Sequence, residues 1–225
     1  MISVIVPMFN EADNVKNCIS IIKLVLDRNF RNDWEIVVVD DGSNDGTYKN
    51  LMEVKKKVKY LKILKHDLNK GPGAAFKTGF AKANGDIIVT IDADLSFSPD
   101  LIPKLVSELK DADLVIGSQH KKGSKIVNVP FMRRLASKVA NILDRIILGV
   151  NLTSLTSFFV AYKSHVIKNL KIDSNSFDAQ SEILTKLFWS GCRIKEIPTP
   201  LIWSEERKMH SKLKLIIIIV LVIAI

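Results

Sequence analysis

Two aspartates separated by one residue follow an apolar run, residues 87–91, that predicts a buried strand. Side chains at positions i and i+2 of an extended chain point to the same side, so Asp92 and Asp94 can bind one cation together. Mg²⁺ and Mn²⁺ prefer carboxylate, water and phosphate oxygens as ligands. The spacing therefore predicts a divalent-metal site, and a turn with a helix cap around Ser96 is the alternative.

Polar side chains also follow two other apolar runs of the first half. Asp40 and Asp41 end the second run, where Asp41 is suited to accept hydrogen bonds from a base or a ribose, or to form an Asp-Gly turn. Asn10 and Glu11 follow the first run, and Asn10 is suited to cap a helix. A glycine-containing turn at 69–73 precedes a helix and allows close approach of a phosphate or sugar.

These side chains can act together only if the strands that carry them lie side by side. Runs rich in Val and Ile predict buried strands at 2–6, 34–39, 60–64, 87–91, 112–116 and 193–197. Segments of helical period alternate with them at 11–26, 47–57, 74–83, 99–109, 131–148 and 178–189. The alternation predicts an α/β fold with a mostly parallel sheet and flanking helices, in which ligands bind at the carboxyl ends of the strands.

The glycine turns of the chain do not match two common nucleotide-binding motifs. Neither GxGxxG nor GxxxxGK[ST] occurs, which argues against an NAD-dependent enzyme and a P-loop ATPase. Cys18 and Cys192 stand in no metal-binding or redox motif and are interpreted as reduced thiols of a cytosolic domain. Acidic groups at several strand ends favour a metal-bound nucleotide diphosphate as the ligand.

Charge is distributed unevenly along the 225 residues, of which 47% are hydrophobic and 25% charged. Residues 1–112 contain 16 Lys and Arg against 16 Asp and Glu, whereas residues 113–225 contain 17 against 8. The whole net charge of +9 thus lies in the second half, which excludes a uniformly basic nucleic-acid coat and predicts no nucleic-acid partner. An anionic partner is expected for the second half instead.

The last eleven residues, 215–225, are apolar without interruption and follow Lys208, Lys212 and Lys214. A membrane-spanning helix needs about 20 apolar residues. The run is interpreted as the start of a transmembrane helix or as an interfacial tail with the lysines at the head groups, and a buried terminal element is the alternative. A membrane surface is therefore a predicted partner.

Four segments, residues 4–11, 37–47, 69–75 and 92–94, together resemble the family 2 glycosyltransferases of the GT-A fold. The resemblance extends over about residues 1–117. Within that family the chain is most similar to the polyprenyl-phosphate glycosyltransferases, which include dolichol-phosphate mannose synthase. The segments that carry this closer similarity are 115–118, 133–141 and 211–213.

The resemblance implies a role for each matching residue. A nucleotide would contact Pro7, Phe9, Asn10, Glu11, Asp40, Asp41, Lys70, Gly71 and Asp92. Asp92 and Asp94 would hold Mg²⁺ or Mn²⁺ on the donor diphosphate and would form the catalytic set with Arg133. An acceptor phosphate would contact Arg133, Arg134, Arg207 and Lys212.

Three positions depart from the pattern of the family. Ser96 stands where the family commonly has Gln, Gln119 where Arg usually follows Gly-Ser, and Val160 where Arg ends a Gly-Phe-Arg element. Two cationic contacts of the family are therefore missing. The lysines available to replace them are Lys121, Lys122 and Lys125.

The resemblance implies a metal-dependent, inverting transfer of a sugar, mannose or glucose, from a GDP- or UDP-sugar to a polyprenyl or dolichyl phosphate. A single GT-A domain would comprise a nucleotide-sugar-binding half, residues 1–117, and an acceptor-binding half, residues 118–212. An apolar membrane-associated tail, residues 213–225, would follow. The enzyme is expected at a membrane, with its catalytic domain on the cytoplasmic side.

Two alternatives stay open. A hydroxyl acceptor, on a glycan or glycolipid, would need a carboxylate base, for which Asp178 and Glu182 are the candidates, one helical turn apart. A degenerate, non-catalytic sugar-nucleotide binder is favoured by the missing arginines and disfavoured by the intact pair of Asp92 and Asp94.

Overall fold

A computed structural model describes residues 1–202, except for the side chains of Arg133, Ala136, Ala140 and Asp144. The apolar tail and two of the predicted acceptor contacts, Arg207 and Lys212, lie outside the described residues.

Strands and helices alternate along the first half, as the hydrophobic pattern predicts. The strands are β1 (Ile2–Met8), β2 (Trp34–Asp40), β3 (Leu61–Lys65), β4 (Ile87–Thr90), β5 (Leu114–Ser118), β6 (Ile126–Val127), β7 (Val160–Lys163), β8 (Ile194–Pro198) and β9 (Leu201–Ile202). The helices are α1 (Val15–Phe30), α2 (Thr47–Lys55), α3 (Pro72–Lys82), α4 (Ile102–Glu108), α5 (Phe131–Leu148), α6 (Ser164–Lys168) and α7 (Ala179–Trp189). A short 3₁₀ turn, Pro99–Leu101, precedes α4.

The main sheet of the described residues has the order β3-β2-β1-β4-β7-β5-β8, and β6 pairs with β9 beside it. The pairs β3–β2, β2–β1, β1–β4 and β5–β8 are parallel, so the expected mostly parallel sheet is confirmed. Six of these strands place their carboxyl ends at one edge. That edge is where the polar residues of the sequence pattern lie.

Strand β7 is antiparallel to both of its neighbours, β4 and β5, and was not predicted. The chain that leaves α5 returns to the sheet at its carboxyl edge, where the amide of Gly117 donates to the carbonyl of Phe159 at 2.8 Å. The strand that begins there can only run in the opposite direction. As a result, a strand from the second half of the chain completes the sheet of the first half.

Helices cover both faces of the sheet because residues within each buried strand point alternately to the two sides. On one face, Val4 and Val6 of β1 belong to a buried cluster with the apolar stripe of α1, which consists of Val15, Cys18, Ile19, Ile22 and Leu26. On the other face, Ile5 packs in a second cluster with Phe76 and Phe80 of α3. Each large side chain buried in this way contributes about 1.5–3 kcal/mol, which fixes the sheet that carries the polar edge.

Helix α5 presents its apolar side chains outward. Phe131 and Ile146 are 74% and 72% exposed, whereas the polar Asn141 is buried against the protein. The other exposed apolar residues of this helix are Met132, Leu135, Val139, Ile142, Leu143 and Ile147. Among residues 1–202, no helix combines the length and the apolar character needed to cross a bilayer.

Asp113 ties three strands together at the edge opposite the polar one. Its carboxylate accepts hydrogen bonds from the amide of Arg193 at 3.0 Å, from Arg193 Nη2 at 3.0 Å and from Lys163 Nζ at 3.1 Å. The Arg193 contacts, together with Lys163, hold the pKa of Asp113 well below its usual range. The ionised carboxylate is thus the form that joins the starts of β5 and β8 to the end of β7.

Replacing Asp113 by Asn is expected to lower the free energy of unfolding at pH 7 by about 1–2 kcal/mol, since charged hydrogen bonds to two partners are lost. The pKa of this carboxyl is lower in the folded than in the unfolded chain, so its contribution is complete above the unfolded value of about 3.9 and is lost as the pH falls below it. Denaturant unfolding at pH 7 and at pH 3 measures the difference. Asp111→Asn, two residues away and exposed, is the control, and an equal effect of both variants would contradict the assignment.

Candidate active site

The carboxyl ends of β1 and β4 meet where the strand order of the sheet reverses. From β1 the chain moves outward through β2 to β3, and then returns to add β4 on the other side of β1. Open α/β sheets form a crevice at such a reversal, and their ligands bind there. The loops after β1, β2 and β4 therefore border the candidate site.

Hydrogen bonds join the loop after β1 to the loop after β2. The amide of Asn10 donates to Ser43 Oγ at 2.9 Å, and the amide of Asn44 donates to Asn10 Oδ1 at 3.0 Å. One residue further, the amide of Glu11 donates to Thr47 Oγ1 at 2.8 Å. The two loops consequently form one rigid wall of the crevice.

Asn10 links the loops after β1 and β2 and does not cap a helix. Its backbone has a φ of 54°, in the left-handed region that Asn tolerates better than most residues. Helix α1 begins only at Val15, after Asn14, so the expectation of a helix cap at Asn10 is wrong. Nearby, Pro7 lies within β1 and Phe9 is 45% exposed at its end, which leaves an aromatic face accessible beside the crevice.

Asp40, the last residue of β2, is completely buried. Its Oδ1 atom accepts a hydrogen bond from the amide of Ser43 at 3.1 Å, while Oδ2 has no hydrogen-bond partner among the described residues. A buried carboxylate oxygen without a donor is costly and uncommon in folded proteins. Because this oxygen lies below the protein surface, it does not itself support a ligand contact, and the nucleotide contact of Asp40 stays a prediction.

Asp41 holds the turn that opens α3. Its Oδ1 atom accepts from the amide of Lys70 at 3.0 Å, and its Oδ2 atom accepts from the amide of Gly71 at 2.8 Å. His66 Nδ1 lies 2.6 Å from the same Oδ1 atom. The sequence indicated a contact with the nucleotide for Asp41, and the structure adds an internal role that links three segments of the chain.

The backbone of Gly71 needs the absence of a side chain. Its φ is +95°, and a Cβ atom built there would lie 2.4 Å from the carbonyl oxygen of Asn175. Any other residue would push the segment before α7 away from the start of α3. The turn between Lys70 and Pro72 is therefore fixed from below by Asp41 and from above by the Asn175 segment.

Asp92 and Asp94 follow β4 in a tight turn. Asp94 Oδ1 accepts hydrogen bonds from the amide of Ser96 at 3.0 Å and from its hydroxyl at 2.7 Å, so Ser96 orients the carboxylate. Leu95, which directly follows Asp94, adopts a backbone φ of 49°, a strained value for a leucine. The turn around Ser96, one of the two interpretations of the sequence, is therefore present, and the metal site on Asp92 and Asp94 stays a prediction.

Burial raises the pKa of the Cys18 thiol on α1, and the negative charges of Glu11, Asp94 and Asp92 raise it further. The residues that the structure describes contain no group of three His, Cys, Asp or Glu arranged as a complete metal cage. Two aspartates fit a hard divalent cation that takes its remaining ligands from water and phosphate, as Mg²⁺ usually does.

A second polar network lies at the end of β5. His120 Nε2 is 3.3 Å from Asn141 Nδ2 and 3.3 Å from Gln119 Nε2. Because both partners are amide donors, Nε2 accepts and the ring proton is on Nδ1. Burial lowers the pKa of His120, and the positive charges of Lys138 and Arg134 lower it further, so the neutral ring joins α5 to the sheet edge.

Glu196 anchors the loop that faces this network, a role that the sequence pattern did not single out. Its Oε1 atom accepts from the amide and the hydroxyl of Thr153, both at 2.8 Å, and Thr153 Oγ1 lies 2.7 Å from Ser118 Oγ. The available signal was an acidic residue next to the end of a predicted strand, which places it at the carboxyl edge.

The remaining predicted residues fall into two groups. Arg134 is exposed on α5, one residue after Arg133, on the same helix as Lys138 near His120. Asp178 and Glu182 lie at the start of α7, away from the loops after β1 and β4 in the chain and close to residues 173–176. Arg134 thus lies on the helix that Asn141 joins to His120, whereas Asp178 and Glu182 lie beside the segment that contacts the start of α3.

The Glu182 carboxylate is held by hydrogen bonds within the protein. It accepts from the amides of Asp173 and Ser174, both at 2.8 Å, and contacts Lys186. Burial acts to raise the pKa of Glu182, but these donors outweigh it and lower the pKa below its usual value. A carboxylate of low pKa is a weak proton acceptor, so these contacts do not favour Glu182 as a base, and that role stays a prediction along with Asp178.

The fold and the topology of this edge are those of an α/β protein of the GT-A kind. A family model described as glycosyl transferase family 2 matches residues 3–171, which include the loops after β1, β2 and β4. The chain belongs to glycosyl transferase family 2.

Named relatives share most of the chain. It is 35% identical over 216 residues to a dolichol-phosphate mannosyltransferase of Pyrococcus furiosus, which covers 95% of this chain and 59% of that protein. It is 29% identical over 215 residues to an undecaprenyl-phosphate mannosyltransferase of Micrococcus luteus, covering 92% and 86%. A dodecaprenyl-phosphate galacturonate synthase of Rhizobium johnstonii is 32% identical over 174 residues, covering 76% of this chain and 50% of that protein.

Solved structures with the same fold include the glucosyl-3-phosphoglycerate synthase of Mycobacterium tuberculosis. One structure has a TM-score of 0.70 at 21% identity and covers 94% of this chain and 74% of that one. Another, in complex with Mn²⁺, UDP and glucosyl-3-phosphoglycerate, has a TM-score of 0.68 at 22% identity, with coverage of 89% and 70%. At these identities the similarity establishes the fold.

Proposed function

We propose that this chain transfers a sugar, mannose or glucose, from a GDP- or UDP-sugar to a polyprenyl or dolichyl phosphate, with inversion at the anomeric carbon. The observation that carries the proposal is an acidic pair of the metal-binding type on the same sheet edge as a basic helix with exposed apolar side chains. Each of the three relatives is named as an enzyme that acts with a sugar and a polyprenyl phosphate. These names support the same class of acceptor for this chain.

On the donor side, Asp92 and Asp94 would hold Mg²⁺ or Mn²⁺, and the related solved structure with Mn²⁺ and UDP supports this choice. When bound, the metal neutralises the charge that develops on the leaving diphosphate. The wall and turn described above would bind the nucleotide. Its proposed contacts are Pro7, Phe9, Asn10, Glu11, Asp40, Asp41, Lys70, Gly71 and Asp92.

On the acceptor side, a phosphate monoester needs no protein base. Its second pKa is about 6, so its oxygen is already anionic near pH 7. Arg133 and Arg134 on α5 are proposed to bind it, together with Arg207 and Lys212 outside the described residues. Holding this oxygen on the face of the sugar opposite the diphosphate aligns it for direct displacement, which inverts the anomeric carbon.

Helix α5 supports an acceptor that resides in a membrane. A continuous set of exposed apolar side chains on a monomer marks a surface that another apolar phase covers. Arg134 and Lys138 on the same helix suit anionic head groups. The helix would lie in the interface with Phe131 and Ile146 in the hydrocarbon, and the polyprenyl phosphate would reach the arginines from there.

We place the catalytic domain on the cytoplasmic side of that membrane. Cys18 and Cys192 are both free thiols, which suits a reducing compartment. The anionic cytoplasmic leaflet also attracts the basic second half of the chain.

Transfer assays with the full chain test the proposal. In vesicles containing polyprenyl phosphate, we expect label from GDP-mannose or UDP-glucose to reach the lipid in the presence of Mg²⁺ or Mn²⁺. Chelation of the metal is expected to lower the rate at least about 100-fold, since metal-assisted charge stabilisation contributes several kcal/mol.

Matched acceptors separate the alternatives. Polyprenol, which has the same chain but a hydroxyl in place of the phosphate, is expected to accept no sugar. Transfer to polyprenol would instead establish a hydroxyl acceptor. Metal-dependent binding of GDP or UDP without turnover of any donor would establish a non-catalytic binder.

A further inference from the structure

His66 directly follows β3 and lies buried between two polar side chains. Its Nδ1 atom is 2.6 Å from Asp41 Oδ1, and its Nε2 atom is 2.9 Å from Thr78 Oγ1 on α3. Only 8% of the residue is exposed. It belongs neither to the proposed metal ligands nor to the proposed acceptor contacts.

The ring adds a polar connection between β2, β3 and α3, whose apolar side chains already pack in one buried cluster. Asp41 directly follows β2, His66 directly follows β3, and Thr78 lies in the second turn of α3. A carboxylate can only accept a hydrogen bond, so the Nδ1 atom of His66 carries a hydrogen and donates a hydrogen bond to Asp41. Nε2 then pairs with the Thr78 hydroxyl, which fixes the plane of the ring and with it the direction of the donated bond.

The carboxylate that His66 orients in turn holds the turn before α3. Asp41 accepts from the amides of Lys70 and Gly71, with one oxygen for each. The segment between His66 and this turn also packs on Gly42, where a Cβ atom would lie 2.4 Å from the carbonyl carbon of Leu68. A rotation of the Asp41 side chain would therefore release both amides at once.

We propose that His66 is a positioning residue of the donor site: it fixes Asp41, and through Asp41 the Lys70–Gly71 turn, before a nucleotide binds. This inference rests on the proposed binding of a nucleotide-sugar at this edge. The ligand affected is the nucleoside diphosphate part of the donor. Because the site is ordered in advance, binding does not have to order it, and the affinity is correspondingly higher.

Two substitutions of His66 separate its two hydrogen bonds. His66→Asn places an amide nitrogen where Nδ1 lies and keeps the bond to Asp41. His66→Gln places its amide where Nε2 lies, keeps the reach to Thr78 and loses the bond to Asp41. Titration of each full-length variant with GDP and with UDP in the presence of Mg²⁺ measures the dissociation constant.

We expect His66→Gln to weaken nucleotide binding about tenfold, and His66→Asn to stay within about twofold of the unsubstituted chain. In transfer assays the donor KM should rise in the same proportion, with kcat and the acceptor KM unchanged. A merely structural role would lower the thermal stability of both variants without this difference between donor and acceptor.

Thr78 provides an independent pair should His66→Gln fail to fold. Thr78→Val removes the hydroxyl that fixes the ring, and we expect donor binding two- to fourfold weaker, whereas Thr78→Ser keeps it at the unsubstituted value. Equal nucleotide affinity within both pairs would overturn the positioning role while leaving the proposed function intact. If the unsubstituted chain bound neither GDP nor UDP, the donor site itself would be wrong, and the positioning role with it.

Discussion

Replacing Asp94 by Asn is expected to lower the rate of sugar transfer by about a thousandfold or more, with Asp92→Asn giving a loss of the same order. Each substitution removes one negative ligand from a cation that has only these two aspartates as proposed protein ligands. Charge stabilisation of the leaving diphosphate contributes several kcal/mol, and each 1.36 kcal/mol is a factor of ten in rate. Initial rates across a Mg²⁺ and a Mn²⁺ titration measure the loss.

Asp111→Asn is the matched control for this pair, because Asp111 is an exposed aspartate at the opposite edge of the sheet. Its rate is expected to equal that of the unsubstituted chain. Ser96→Ala gives an intermediate case, since Asp94 keeps its charge but loses the hydroxyl at 2.7 Å that orients it. If Asp94→Asn kept full activity at every metal concentration, the assignment of the metal to this turn would be wrong.

The double substitution Phe131→Glu and Ile146→Glu on α5 is expected to raise the KM for vesicle-embedded polyprenyl phosphate about tenfold or more. Both side chains are largely exposed in the structure, so their replacement leaves the packed core unchanged. In a bilayer interface each apolar side chain contributes about 1.5–3 kcal/mol, and a carboxylate in its place is repelled by anionic lipid. The donor KM should stay constant, because the loops that are proposed to bind the nucleotide lie elsewhere on the sheet edge.

Leu24→Glu is the control for the helix prediction. Leu24 is an apolar residue of α1, 47% exposed, and its replacement adds the same charge away from α5. The acceptor KM of each variant is measured in vesicles with and without anionic lipid. The difference in acceptor KM between the double variant and the control should be larger in vesicles that contain anionic lipid. Equal acceptor KM for the double variant, the control and the unsubstituted chain would refute the membrane contact of α5.

The parts of the fold that follow from local pattern were predictable. Buried parallel strands appear as uninterrupted runs of Val and Ile, and the stripe of α1 repeats every three or four residues, so both are visible without any contact information. Asp92 and Asp94 follow such a run, which placed them at a strand end. The positions of the proposed metal pair and of the proposed nucleotide loops at the strand ends were therefore predictable from the sequence, and the roles that the resemblance implies for these residues stay predictions.

Three features depended on contacts between distant parts of the chain. Strand β7 has only four residues, Val160–Lys163, and its direction is set by where the chain returns from α5. The sequence also offered no partner for His66, because its bond to Asp41 spans 25 positions along the chain. Glu196 likewise became part of the site only through Thr153, 43 positions away.

The sequence by itself determined the class of fold, the order of strands and helices in the first half, the carboxylates at the strand ends and the uneven charge. These properties are encoded in periods of two or three to four residues and in composition, which are local quantities. Only the tertiary structure decided which carboxylates accept hydrogen bonds from other segments of the chain and which face of α5 is exposed. Both depend on which segments meet in space: Asp41 and Glu182 accept from backbone amides of other loops, whereas Phe131 and Ile146 stay largely exposed among the described residues.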